Sequence, residues 1–359
     1  MSDDGKIIDL MSKRAKKMQK SREESMMTTA KGISNFHLSP ETVIDPIRQI
    51  MLEPGIFHRV LAPIAWYGTK EDRGRLLIVA GSKGMMGAAA FCAQAADAAG
   101  AGLVRLWIPE DQFAIAQTLV PNATCEDRNL YCRMAEEDTE ALKQKLSIYR
   151  AIVFGPGLGE CSEAETLLRE ILKNYEGRLV LDADGLNMVS RLELASEVAA
   201  SKAEIVMTPH YREMCRLLAI DPHANIPDAK MGREGMALQY ALFASRVLEK
   251  YRCSTVVMKH ANTVVAAMDK LYINASGNIA LAKGGSGDVL AGMLGAFAMS
   301  GADLMESAIC ATYLHGSIGA AASLVLSEKS VNPQKMIEMI GLGISAAEKL
   351  AATAWRYDR

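Results

Sequence analysis

From residue 75 onward the chain alternates between short, unbroken apolar runs and longer stretches in which apolar residues return every three or four positions. The runs are RLLIVAG (75–81), LVRLWIP (103–109), AIVFGPG (151–157), RLVLDAD (178–184) and EIVMTPH (204–210). A half-exposed strand alternates apolar and polar residues, whereas an unbroken run predicts a strand covered on both faces. The intervening stretches, such as the alanine-rich GAAAFCAQAADAAGAG and EAETLLREILKNY (163–175), carry a helical spacing. This alternation predicts an α/β fold: a doubly wound, mostly parallel sheet flanked by helices on both faces. Three later runs, STVVMKH (254–260), NTVVAAM (262–268) and KLYIN (270–274), are joined by short polar connections and predict antiparallel strands at one sheet edge.

The ends of the chain read differently. Residues 1–45 hold a basic run, SKRAKKMQKSR, and a polar connection, and are expected to form an N-terminal extension to a single domain over 46–359. SPETVIDPIRQIM predicts a short helix with Ser39 as N-cap and Pro40 at its first position. SAICATYLHGSIGAAASLVL (307–326) has the length of a membrane span, but its Ala, Gly and Ser content predicts a helix packed within the fold, with His315 as a packing residue. The opening MSDDGKIIDL lacks the apolar segment of a secretory signal.

Composition narrows the function classes. A formal net charge of −2 exerts no global pull towards nucleic acid or an acidic membrane. The seven cysteines are scattered and form no CxxC pair, which argues against a disulfide scaffold or zinc site and for a cytoplasmic protein.

Candidate chemistry gathers where strands end. Glycine-bearing turns, GSKGMMG, GPGLG and DADGLN, follow three of the runs, and ligands of doubly wound sheets bind outside the carboxyl ends of their strands. Neither the GxxxxGK[ST] phosphate loop nor a GxGxxG turn after the first strand is present. The densest cluster is LAKGGSGDVLAGMLGAFAMSG (281–301), where Gly284, Gly285 and Gly287 surround Ser286 just before a helical pattern of Val289, Leu290, Met293, Leu294 and Phe297. Free backbone amides at a helix N-terminus suit an anion. Asp288 stands out there, because a carboxylate repels a bound phosphate unless it acts during reaction.

Taken in order, LLIVAGSKGMMGAAAFCAQAADAAGAGLVRLWIP, FGPGLG, LVLDADGLN, VMTPHYREMCRLL, VVMKHANTVV, INASGNIALAKGGSGDVLAGMLGA and ATYLHGSIG resemble the ADP/ATP-dependent NAD(P)H-hydrate dehydratases, whose fold is ribokinase-like. The resemblance spans about residues 74 to 325. It implies a lyase that repairs the S form of hydrated nicotinamide cofactor, NADHX or NADPHX, by phosphorylating the ring hydroxyl and eliminating phosphate. ADP (or ATP) is the implied donor, with AMP (or ADP) released and Mg2+ accompanying the nucleotide. Within that chemistry Asp288 fits the base that takes the hydroxyl proton, while the amides of Gly284, Gly285 and Gly287 bind developing phosphoryl charge. By resemblance, Lys259, His260, Ala261, Asn262 and Thr263 line the nucleotide site, and Ala88, Gly157 and His210, together with Asp288, contact the hydrated dinucleotide. Asp182 and Asp184 are candidates either for magnesium or for capping after a strand. The chain departs from the family pattern at KHANT (usually KGxGT), PHYREM (usually PHPGE) and GNIALAKGG (usually GNPGxAxGG). A ribokinase-like small-molecule kinase and a non-catalytic nucleotide-binding paralogue stand as alternatives. The resemblance also implies a homo-oligomer, and a separate epimerase chain for the other epimer of the hydrate.

Overall fold

The structure, a computed structural model, describes residues 48–49, 54–63, 65–223 and 232–357. The proposed helix N-cap at Ser39 and the whole basic extension lie outside the described residues. A two-residue strand β1 (Arg48–Gln49) and helix α1 (Pro54–Val60) come first. Five strand–helix units follow. They are β2 (Arg75–Val79) with α2 (Met86–Ala98), then β3 (Leu103–Ile108) with α3 (Phe113–Leu119). Next are β4 (Thr124–Asp127) with α4 (Arg128–Glu137) and α5 (Thr139–Ser147), and β5 (Ala151–Phe154) with α6 (Ser162–Asn174). The fifth is β6 (Arg178–Leu181) with α7 (Asp184–Arg191) and α8 (Ala195–Ala200). Then β7 (Glu204–Met207) leads into α9 (Tyr211–Leu218) and α10 (Gly232–Tyr251). The antiparallel run β8 (Thr255–Met258), β9 (Val264–Ala266) and β10 (Lys270–Ile273) precedes α11 (Ser286–Phe297), α12 (Leu304–Val325) and α13 (Pro333–Tyr357).

The strands form one sheet in the order β1-β10-β9-β8-β7-β6-β5-β2-β3-β4. Every neighbouring pair is parallel except β8/β9 and β9/β10, so β9 alone runs against the rest. Successive side chains of a strand point to opposite faces. Leu76 and Ile78 of β2 therefore join the core beneath α1, α2, α11, α12 and α13, while Leu77 and Val79 join the core beneath α4 to α10. Both faces are dry, which is why the strand sequences read as unbroken apolar runs. Of α12, 61% of the apolar window is buried, as expected of a packed helix. Its neighbour α11 approaches α2 closely because Gly292 has no side chain: a Cβ there would stand 2.1 Å from the Cys92 carbonyl.

Two features differ from the sequence reading. Arg48 and Gln49, within the stretch expected to form a helix, are strand instead and pair in parallel with Lys270 and Leu271. Strand β4, TCED, has no apolar run because it forms the sheet edge and none of its side chains is fully buried.

Chain order reverses at β2, which lies between β3 and β5. The turns after β2 and β5 therefore face each other. The Gly81 N–H donates to the Pro156 carbonyl (2.8 Å), and the Ser82 hydroxyl donates to the Gly157 carbonyl (3.0 Å). Such a reversal opens a crevice at the carboxyl ends of the strands.

Candidate active site

Helix α11 begins at Ser286, two residues before Asp288, so the aspartate lies in its first turn. Gly285 is the N-cap at φ +91°, a left-handed conformation that turns the chain into the helix, and a Cβ there would meet Phe91 and Pro333 at 2.8 Å. The Ser286 N–H is taken by the Lys283 carbonyl (3.2 Å). Among the described residues, no protein group accepts from the N–H of Gly284, Gly285, Gly287 or Asp288. Open amides at a helix N-terminus are the arrangement the glycine cluster predicts, and one suited to an anion. From below it is braced by His315 of α12, which is 8% exposed. Its Nε2 lies 3.0 Å from the Ser286 carbonyl and 3.2 Å from the Ser286 hydroxyl. Burial pushes the imidazole down to about 4, so the ring is neutral and donates through Nε2 to that carbonyl.

On one side of the turn opens a cleft with a volume of about 730 Å³. His210, Lys259, His260, Ala261, Asn262 and Thr263 line it, as do Ser286 and Gly287. The 274–283 loop and α12 close it. The structure thus brings the KHANT segment and the glycine turn to one cavity, although Gly284 and Gly285 do not line its wall. His260, where the family pattern has glycine, stacks on Tyr240 at 4.2 Å between ring centroids. Its Nδ1 is buried without a hydrogen-bond partner among the described residues.

Asp288 is not among the residues lining that cleft. Burial raises its carboxyl to about 7, the negative charges of Asp182, Asp184 and Glu213 push the same way, and Lys259 opposes them. A carboxyl poised near neutrality is what a general base requires.

Beneath Asp288 lies an ion cluster that sequence reading did not assemble. The Lys259 Nζ is 2.5 Å from Asp182 Oδ1 and 3.9 Å from Glu213 Oε2. Asp182 also accepts from the Thr208 hydroxyl at 2.7 Å. Burial alone would lower the lysine, but Asp182 and Glu213 outweigh it and hold the ammonium above its ordinary value. Glu213 in turn is raised by burial. Its other contacts explain His210. The His210 N–H donates to Glu213 Oε2 (2.8 Å), and His210 Nδ1 accepts from the N–H groups of Arg212 and Glu213, a capping box for α9. Burial pushes His210 down to about 4, leaving a neutral, half-exposed ring on the cleft wall whose Nε2 lies 3.3 Å from Glu213 Oε1. The H-x-x-E spacing was the available sequence signal for Glu213.

Both magnesium candidates already hold protein partners, those of Asp182 on its Oδ1. Asp182 is bound to Lys259 and Thr208, and the two oxygens of Asp184 accept from Gly159 N–H (2.7 Å) and Asn187 Nδ2 (3.2 Å). No group of three or more His, Cys, Asp or Glu is arranged to hold a metal among the described residues. Ala183, between the two aspartates, sits at φ +47°, a strained conformation that sends their side chains to separate partners.

Ala88 and Gly157 meet at the chain-order reversal, away from the cleft: a Cβ on Gly157 would stand 2.9 Å from the Ala88 Cβ and 2.8 Å from the Met85 carbonyl. Gly157 is at φ +62°.

A family model described as NAD(P)H-hydrate dehydratase matches residues 76–341. The ADP-dependent (S)-NAD(P)H-hydrate dehydratase of Neisseria meningitidis is 30% identical over 90% of this chain and 97% of its own length. A bifunctional NAD(P)H-hydrate repair enzyme from Gloeobacter violaceus is 35% identical over 70% of this chain, which spans only 45% of that relative. The dehydratase of Bacillus subtilis, crystallised with ATP and Mg2+, shares the fold at TM-score 0.66 and 23% identity, over 81% of this chain and 97% of its own. The same TM-score and identity relate this chain to a ribokinase-like superfamily protein of Enterococcus faecalis, over 85% of this chain and 97% of that one.

Proposed function

The chain belongs to the NAD(P)H-hydrate dehydratase family, and from that premise we propose how its own residues carry out an ADP-dependent dehydration of (S)-NADHX and (S)-NADPHX. The nucleotide occupies the cleft between the KHANT segment and the glycine turn, and the hydrated ring approaches from the side of Ala88 and Gly157. Asp288 stands between them. It accepts the ring hydroxyl's proton as that oxygen attacks the terminal phosphorus of ADP, and AMP leaves with the bridging oxygen's electron pair. The open amides of the α11 turn hold the charge on the transferred phosphoryl group without reorganising. Phosphate then departs with the C–O bonding pair, the ring nitrogen supplies electron density, and a proton is lost from the neighbouring carbon to restore NAD(P)H. Mg2+ accompanying the nucleotide would neutralise phosphate charge, while Asp182 Oδ1 stays with Lys259 and Asp184 stays with the Gly159 N–H. ADP as the donor follows the Neisseria relative's name.

The observation that carries this reading is a carboxyl raised to about 7 on a helix turn whose first amides are unpartnered. The protein works as a single domain over residues 46–359, as a homo-oligomer in the cytoplasm, and leaves epimerisation of the hydrate to another chain. Incubation with (S)-NADHX, Mg2+ and ADP is expected to yield NADH, AMP and phosphate in equal amounts. Accumulation of a stable phosphorylated alcohol instead would mark a ribokinase-like kinase, and nucleotide binding without any product would mark a non-catalytic paralogue.

A further inference from the structure

The cleft carries a charge problem that Lys259 does not solve. Its ammonium is bound to Asp182 and lies near Glu213, so two buried carboxylates already compensate it. The histidines on the wall add no charge, since burial lowers His210, His260 and His315. The other cation on the wall is Lys283, which is exposed and directly precedes the glycine turn. Its ammonium donates to the carbonyl of Lys329 in the connection between α12 and α13, and among the described residues no carboxylate pairs with it. A hydrogen bond to one exposed carbonyl is a weak hold on a mobile four-carbon side chain.

Resting on the reading of this cleft as the nucleotide site, we propose that Lys283 is a specificity-determining residue: it leaves the Lys329 carbonyl and binds the terminal phosphate of the donor. The placement selects that phosphate. Lys283 is two residues from Gly285, the N-cap of α11, and five from Asp288, so it flanks the point where the phosphoryl group must meet the substrate hydroxyl. The product nucleotide, AMP, lacks that group and loses this contact. Lys283 thereby favours donor over product at a position where the family pattern specifies no residue.

Titration calorimetry on the full chain with Mg2+ and either ADP or AMP, at low and high salt, tests this. K283M is expected to weaken ADP about tenfold, the size of one charge-assisted contact at a partly exposed site. It should move AMP less than twofold, flatten the salt dependence of ADP binding, and leave unfolding temperature unchanged; K283R should restore ADP binding. Equal ADP affinity in wild type and K283M overturns the proposal, as does an equal loss for ADP and AMP. If the wild-type chain binds neither nucleotide, the underlying reading of the cleft fails first, and the two failures are told apart by the wild-type titration alone.

Discussion

Asp288 is defined by two opposed demands. Its burial among Asp182, Asp184 and Glu213 raises the carboxyl to about 7, and that environment disfavours the ionised form the reaction needs. Below about pH 7 this carboxyl is protonated, so its proposed role as base predicts that the rate at limiting substrate falls as pH drops through that value, with the mid-point read from kcat/KM. The same shift acts on stability. A carboxyl that holds its proton more tightly folded than unfolded costs stability as pH rises from about 4 to about 7. Asp288→Asn should therefore match the wild type in thermal unfolding near pH 4 and exceed it by a few degrees at pH 8, a trade of stability for function. Lys259 presents the reverse case. Its removal in Lys259→Met strands Asp182, 1% exposed, without its cation. A loss of about 3–5 kcal/mol in denaturant unfolding is expected. Asp182→Asn combined with it should recover part of that loss, because the unpaired charge is then gone.

At the scale of elements, the glycine turns are the working parts. Gly157, at φ +62° and 2.8 Å from the Met85 carbonyl by its would-be Cβ, has no room for a side chain. Gly157→Ala is expected to push apart the turns after β2 and β5, raising the KM for the hydrate about tenfold while ADP affinity holds. Which elements the sequence made legible follows from what sets each pattern. The buried strands were readable because two dry faces demand unbroken apolar runs, and α11 because its apolar spacing follows a glycine cluster. Strand β4 was not, since an edge strand with half-exposed side chains needs no such run. The candidate site was chosen on local patterns, the glycine cluster before Asp288 and the KHANT segment, and the structure brings KHANT and the glycine turn to one cleft. Non-local pairings were not legible: nothing in the chain announces that Lys259 meets Asp182, 77 positions away, or that His315 braces Ser286. Asp182, a candidate either for magnesium or for capping after a strand, has its Oδ1 bound to Lys259.

At the scale of the molecule, the sheet separates two jobs. The segment after β8 and the loop after β10 line the cleft beside the α11 turn, while the turns after β2 and β5 meet at the chain-order reversal. In the proposed function, α11 supplies both the phosphoryl-binding amides and the base, with donor and hydrate held on its two sides. The most direct test is the single-turnover rate of NADH recovery from (S)-NADHX at saturating ADP and Mg2+, compared between wild type and Asp288→Asn with ADP affinity measured alongside. The account predicts a rate about 10²- to 10⁴-fold lower in the variant with ADP binding intact. A variant rate within threefold of wild type would contradict it, because the proton would then be leaving the hydroxyl by another route.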